Sequence, residues 1–357
     1  ARSVVGDNDN EIERAKKIYS FIRDHFKVTS RNWGIDDNST LEKVNKDRTG
    51  NVAEINLLLI ALLRSQKLEA DPVILATRDN GLTNASYPVM DNYNYTICRL
   101  IVNGKIYCLD ASVSTLGFGK LPTECYNGYA RVITKNNNAL LLSPDSINES
   151  ESIIISIENE DGKKPLNLYW TEQAGYYRSS EIRSAIKQKS VETYTKSLSE
   201  KSSVKGKIDS FSIDNLNDFN QPLSVSFKTS IDPGNEDHFY FNPLLGTGLK
   251  ENPFKAAERS YPVELPYTSD KIFVLNMEVP AGYEVEELPK STKITLNDSE
   301  GFFEYRIQKN ANTIQFRSLI NIKKATFEPE DYNTLKDFYA AIIKKQGELI
   351  VFKKIQR

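Results

Sequence analysis

The stretch that decides the fold reads Gly50-Asn51-Val52-Ala53-Glu54-Ile55-Asn56-Leu57-Leu58-Leu59-Ile60-Ala61-Leu62-Leu63-Arg64. Asn51 and Glu54 have the spacing of a capping box with Asn at the N-cap, so a helix is predicted to begin at Val52. From there the pattern is apolar on nearly every side, which marks a helix buried in the centre of a domain. Gly50 permits a tight entry into it. A loop that delivers one residue onto the N-terminus of a buried helix is where a nucleophilic Cys is placed, because the helix dipole lowers a thiol pKa. Here that residue is Val52. The arrangement is that of a cysteine active site without the cysteine.

Downstream, Pro72 to Thr77 reads as a strand, and Arg78 to Asn92, rich in Asn with Asn-Gly and Pro, as a long surface loop. A hairpin follows, Tyr93 to Val102 and Lys105 to Asp110, with Asn103-Gly104 as its turn. That dipeptide fixes the register: Val102 against Lys105, Ile101 against Ile106, Ile97 against Asp110. By alternation Tyr95, Ile97, Cys108 and Asp110 share one face and Cys98 points to the other, so Cys98 and Cys108 are not expected to bond. Gly117-Phe118-Gly119 has no helix after it and reads as a turn rather than a phosphate loop. Ala130 to Ile133 and Ala139 to Ser143, split by Asn136-Asn137-Asn138, give a last small hairpin.

Upstream, Ile12, Ala15, Ile18, Tyr19 and Ile22 recur at helical spacing, so a helix is predicted to run to His25 or Phe26. The acidic run Asp7 to Glu11 lacks the Gly and the distant Glu of an EF-hand and reads as capping. His25, at the helix C-terminus, reads as a dipole-compensating surface residue. Thr29 to Asp47 is a polar loop with one short helix at Leu41 to Val44. Ala1-Arg2-Ser3-Val4-Val5 reads as the cut start of a longer chain, with no signal peptide.

The bulk numbers exclude several classes. The 357 residues suffice for two domains, and 26% charged with 39% hydrophobic is the balance of a globular protein. A net charge of -2 gives no footprint for nucleic acid. The longest apolar run, Leu57 to Leu63, is far short of the roughly 18 residues of a spanning helix. Three Cys argue against a disulfide framework, and two His give no support for a His-rich metal site. No cofactor is implied.

Polar Pro144 to Ser152 separates two domains, 1–146 and 147–357. The second half consists of short strands with regular turn signals, which predicts an antiparallel β-sandwich. A surface helix over Arg178 to Leu198 interrupts it. A C-terminal helix over Glu330 to Lys345 precedes a return strand at Ile350 to Phe352.

Gly50 to Glu54 at the buried helix, the strand with Tyr95, and Tyr107-Cys108-Leu109-Asp110-Ala111 together resemble the bacterial transglutaminase-like core, a papain-related fold. In active members of that family a Cys starts the buried helix, a His lies on the next-but-one strand, and an Asp follows on the neighbouring strand. The resemblance places Val52 at the Cys, Tyr95 at the His and Asp110 at the Asp. Ala53 to Leu59, Thr77 to Gly81, Asn94-Tyr95 and Leu121-Pro122 look like one bacterial branch. There the core precedes a β-rich module of unknown function, similar here in Asn252-Pro253-Phe254, Arg259 to Glu264, Pro280 to Tyr283 and Glu286 to Lys290. The implied fold is α+β: helices on an antiparallel sheet in the core, then the sandwich. Family habit implies the periplasm or cell surface, and an upstream β-domain that many branch members carry and this sequence lacks.

Thiol chemistry needs a thiolate, a base to generate it and a group to orient the base. Val52 offers no nucleophile, and a Tyr95 phenol with an ordinary pKa of about 10 is a poor base. The leading expectation is therefore a pseudoenzyme that binds a peptide or glycan-linked peptide in a remnant cleft, or acts as a structural or interaction module. Asn51, Asn94, Tyr95, Asp110 and Trp33 are the candidate contacts. The alternative is a cysteine protease, amidase or transglutaminase-type acyl transferase that uses a displaced thiol, Cys108 or Cys125. In the blander reading these thiols are small buried hydrophobes, Glu54 is only a capping partner, and Asp110 accepts bonds from Tyr95 or backbone groups.

Overall fold

In a computed structural model of the protein, the described residues are 4–135, 138–160, 165–201 and 207–356. The predicted turn at Asn136-Asn137 lies outside them. The chain divides into two compact units, Ala1–Ser146 and Ile147–Arg357.

Unit 1 contains α1 (Glu11–His25), β1 (Lys27–Val28), α2 (Leu41–Asp47), β2 (Thr49–Gly50), α3 (Val52–Ser65) and β3 (Glu69–Leu75). These are followed by β4 (Tyr95–Val102), β5 (Lys105–Leu109), β6 (Gly128–Val132) and β7 (Ala139–Leu142). Helix α3 starts where the capping box places it: Asn51 Oδ1 accepts from the Glu54 N–H and the Glu54 carboxylate accepts from the Asn51 N–H. Helix α1 is capped in the same way by Asn10 and Glu13.

The sheet order is β5-β4-β3-β6-β7. Asn103 and Gly104 both have positive φ, as a tight hairpin turn requires, and the β4–β5 register pairs Val102 with Lys105 and Cys98 with Leu109. Alternation along β3 and β4 sorts the apolar side chains to two faces. Ala70, Cys98, Leu100 and Val102 pack with α1 and the body of α3. Val73, Leu75, Tyr95 and Ile97 form a second cluster with Leu121, Cys125 and Val132, and that cluster also takes Val52 from the first turn of α3.

Unit 2 contains β8 (Asn148–Glu158), β9 (Leu166–Gln173), α4 (Tyr176–Lys189), α5 (Val191–Lys201), β10 (Ser210–Asp214), β11 (Ser224–Ile231) and β12 (His238–Phe241). After these come β13 (Val263–Glu264), β14 (Thr268–Glu278), β15 (Tyr283–Glu287), β16 (Thr292–Leu296), β17 (Gly301–Asn310), β18 (Thr313–Ile322) and β19 (Thr326–Phe327). The last elements are α6 (Tyr332–Gln346) and β20 (Ile350–Lys354). An eight-stranded sheet of order β10-β11-β9-β8-β14-β18-β17-β16 shares one apolar core with the three-stranded sheet β12-β20-β15 and α6. The unit is thus β-rich with a C-terminal helix.

Two expectations are corrected here. The large sheet is not wholly antiparallel: β8 and β14 run parallel, with Ile153 beside Phe273. These strands are neighbours only after the long excursion through β9 to β13, and side-chain alternation carries no information about direction. The surface helix over Arg178 to Leu198 is in fact two helices, α4 and α5, broken at Ser190 with φ 129°. Helix α4 is also partly buried. Its polarity misleads because Arg183 is buried, its Nε and Nη2 donating to the carbonyls of Asn215, Leu216, Asp218 and Gln221.

Candidate functional site

The three positions that the resemblance sets at a thiol triad are all buried: Val52 is 3% exposed, Tyr95 3% and Asp110 0%. Asp110 leaves the end of β5 and is fully engaged. Its Oδ2 accepts from the Tyr95 hydroxyl at 2.7 Å. Its Oδ1 accepts from Asn56 Nδ2 at 2.9 Å, from the Ser112 N–H at 2.9 Å and from Ser112 Oγ at 2.6 Å. A buried carboxylate costs several kcal/mol unless its lone pairs are met, and here they are.

Asn56 ties this cluster to the sheet, and sequence reasoning did not single it out. It lies one turn beyond Val52 on α3. Its Nδ2 also donates to the Thr96 carbonyl at 2.9 Å, and its Oδ1 accepts from the Ala111 N–H at 2.9 Å. The signal was present, since Asn56 is the one polar residue in the run Ile55 to Leu63. A side-chain amide does not survive in such a run without partners. Tyr19 adds a further tie by donating its hydroxyl to the Asp110 carbonyl at 3.1 Å.

The N-terminus of α3 is where a thiolate or an oxyanion would be stabilised, and its donors are already taken. The Val52 N–H donates to the Ser30 carbonyl at 3.1 Å and the Ala53 N–H to that of Asn32 at 3.3 Å. Glu54 and Ile55 donate to the side chain and backbone carbonyl of Asn51. The segment 29–32 is thus laid across the helix end, fixed also by the Thr29 N–H on the Gly50 carbonyl at 2.9 Å. No free dipole end remains for an anion.

The other candidates are placed as follows. Asn51 is buried, and its Nδ2 donates to the Gly34 carbonyl at 2.9 Å, so both ends of its amide are in use. Asn94 bonds Thr77 twice, accepting from its N–H at 2.8 Å and donating to its hydroxyl at 2.7 Å. The Trp33 ring is partly exposed, while its carbonyl accepts from Thr96 Oγ1 at 2.6 Å. Glu54 accepts from the Asp36 N–H at 3.2 Å as well as capping α3. His25 sits exposed at the end of α1, its Nδ1 3.0 Å from the Phe21 carbonyl.

All three cysteines are free. The sequence could not place Cys125. It is buried in the cluster that holds Val52 and Tyr95, and Cys108 packs against the same cluster. Burial disfavours the thiolate at both. Burial raises the Cys125 thiol well above its ordinary value, and the Asp110 charge adds to this. Burial pushes Cys108 up to about 11, and burial likewise raises Cys98. The Tyr95 phenol is also raised, first by burial and then by the Asp110 carboxylate, so it keeps its proton as a hydrogen-bond donor. Among the described residues, no group of three or more His, Cys, Asp or Glu is arranged to hold a metal, and no helix is long and apolar enough to cross a membrane.

Residues 1–98 match the transglutaminase-like superfamily, and residues 237–352 match a domain of unknown function, DUF3858. The chain is similar in fold to the crystal structure of a Parabacteroides distasonis protein described as a "putative protease". The TM-score is 0.55 at 13% identity, over 99% of this chain and 54% of that one. Among curated proteins no match was found. The chain therefore carries a transglutaminase-like core followed by a DUF3858 domain.

Proposed function

We propose that the transglutaminase-like core is a non-catalytic module that serves structure and interaction. The observation that carries this reading is the closed state of the α3 N-terminus and of Asp110. Every backbone donor of the first turn and both carboxylate oxygens are bonded within the protein. Acyl transfer through a thiol needs an ionisable sulfur, a base and free donors for the oxyanion. Val52 and a protonated Tyr95 replace the first two, and Ser30 and Asn32 occupy the third.

A peptide or glycan-linked peptide in a remnant cleft is the less favoured role. Of the five candidate contacts, Asn51, Tyr95 and Asp110 are buried and Asn94 is bonded to Thr77. The loop between β3 and β4 suits an interaction better. It presents Leu82, Tyr87, Val89 and Met90, each more than half exposed. We place the chain in a bacterial periplasm or at the cell surface, as the resemblance implies.

The test is iodoacetamide labelling of the native chain at pH 7.5 beside a general amide and ester hydrolysis assay. We expect no stoichiometric labelling of any one Cys and no turnover, with labelling of Cys108 rising only as the pH approaches about 11. Stoichiometric labelling of one Cys, with turnover lost on its replacement by Ala, contradicts the proposal.

A further inference from the structure

Unit 2 holds a pocket of about 180 Å³ on the core side of its eight-stranded sheet. Strand pairing sets its floor in two rows. In one, Glu151 of β8, Lys271 of β14 and Ile320 of β18 lie side by side. In the next, Glu172 of β9 is followed by Ile153, Phe273 and Ser318. Leu244 and Leu249 close one side. That wall is fixed by Gln346 at the end of α6: its Oε1 accepts from the Leu249 N–H at 2.9 Å, and its carbonyl accepts from Asn242 Nδ2 at 2.8 Å. Gly248 permits this approach, since a Cβ there would lie 3.2 Å from Gln346 Oε1. A wall ordered before anything enters lowers the cost of binding.

Two charged side chains at this pocket, half-buried Glu151 and exposed Lys271, have no partner within the described residues. Glu151 and Lys271 are opposite in sign and stand on adjacent strands, whose backbones are about 4.8 Å apart. Such cross-strand pairs attract. Yet among the described residues neither side chain makes a hydrogen bond or ion pair, with the other or with a third group. The polar residues nearer the core are paired: Ser318 accepts from Gln346 Nε2 at 3.5 Å, and Glu172 has Arg178 Nε at 3.9 Å. Burial raises the Glu172 pKa against the pull of Arg178, and the Glu151 charge adds to the rise. An apolar pocket with a few convergent polar groups, one of them perturbed, has the make-up of a small-molecule site.

We propose that this pocket binds a free α-amino acid with an apolar side chain, its ammonium on Glu151 and its carboxylate on Lys271. Ammonium and carboxylate on one carbon bridge two opposite charges on neighbouring strands that do not close on each other. The apolar side chain then covers Phe273, Ile153 and Leu244. A cavity of about 150 Å³ admits a benzene ring, so this pocket takes side chains from leucine to phenylalanine in size.

Calorimetric titration of the full chain with L-leucine, isopentylamine and 4-methylpentanoate tests this, because the latter two each lack one charged group. L-Leucine should bind more tightly than either. Glu151→Gln should weaken L-leucine and isopentylamine by about tenfold and leave 4-methylpentanoate unchanged, while Lys271→Gln should weaken L-leucine and 4-methylpentanoate and spare the amine. Circular dichroism melts verify that both variants fold. No binding of L-leucine, or binding that neither substitution changes, overturns the proposal.

Discussion

Asp110 in unit 1 and the Glu151–Lys271 pair in unit 2 both set charge beside apolar surface, one bonded within the protein and buried, the other without a protein partner and open to solvent. Asp110 has donors on both oxygens, from Tyr95, Asn56 and Ser112, and is sealed from solvent. Glu151 and Lys271 have no bonded partner among the described residues and line a pocket. A family resemblance draws attention to the first site, but its polar groups are spent on holding the chain together. The second lies outside the matched segments for Glu151 and within the DUF3858 match for Lys271, and its groups are free to meet a ligand. Satisfaction of hydrogen bonds, more than position in a family pattern, separates a structural polar group from a binding one.

If that contrast is right, substitutions should affect stability in unit 1 and binding in unit 2. The largest expected effect is from Asp110→Ala, which strands the donors of Tyr95, Asn56 and Ser112. We expect a loss of about 3–5 kcal/mol in urea unfolding, since each buried donor left unpaired costs about 1–3 kcal/mol. A loss below about 1 kcal/mol would break the comparison. Tyr95→Phe removes one bond to a buried carboxylate and should cost about 1–3 kcal/mol. Val52→Cys exchanges one small buried side chain for another and should cost about 1 kcal/mol or less. Glu151→Gln and Lys271→Gln should lie within about 0.5 kcal/mol of the parent, because no bond is lost. A cost of about 2 kcal/mol or more at either position would mean that these groups are structural after all.

The parts of unit 1 legible in the sequence obey local rules. The Asn51–Glu54 box placed the start of α3 at Val52, and Asn103-Gly104 fixed the register that puts Tyr95 and Asp110 on one face. What the sequence left open depends on contacts between distant segments. No periodicity tells that residues 29–32 cross the end of α3, or that Cys125 joins the Val52 cluster. Asn56 was readable in principle as a lone amide in an apolar helix, but its acceptor on Thr96 and its bond to Asp110 lie 40 and 54 residues away. In unit 2 the strands were recognisable by alternation, whereas the parallel β8–β14 pair was not, because direction leaves no mark on side-chain patterning.

The most direct test of the central claim is to install a thiol at position 52 and an imidazole at position 95. If Val52 and Tyr95 stand where a nucleophile and its base once stood, with Asp110 still able to orient an imidazole, the double variant Val52→Cys/Tyr95→His should gain an activated thiol. Its alkylation by iodoacetamide at pH 7 should be about tenfold faster than that of Val52→Cys alone, the imidazole favouring the thiolate. Equal rates in the two variants would contradict the account, since positions 52 and 95 would then not share a site.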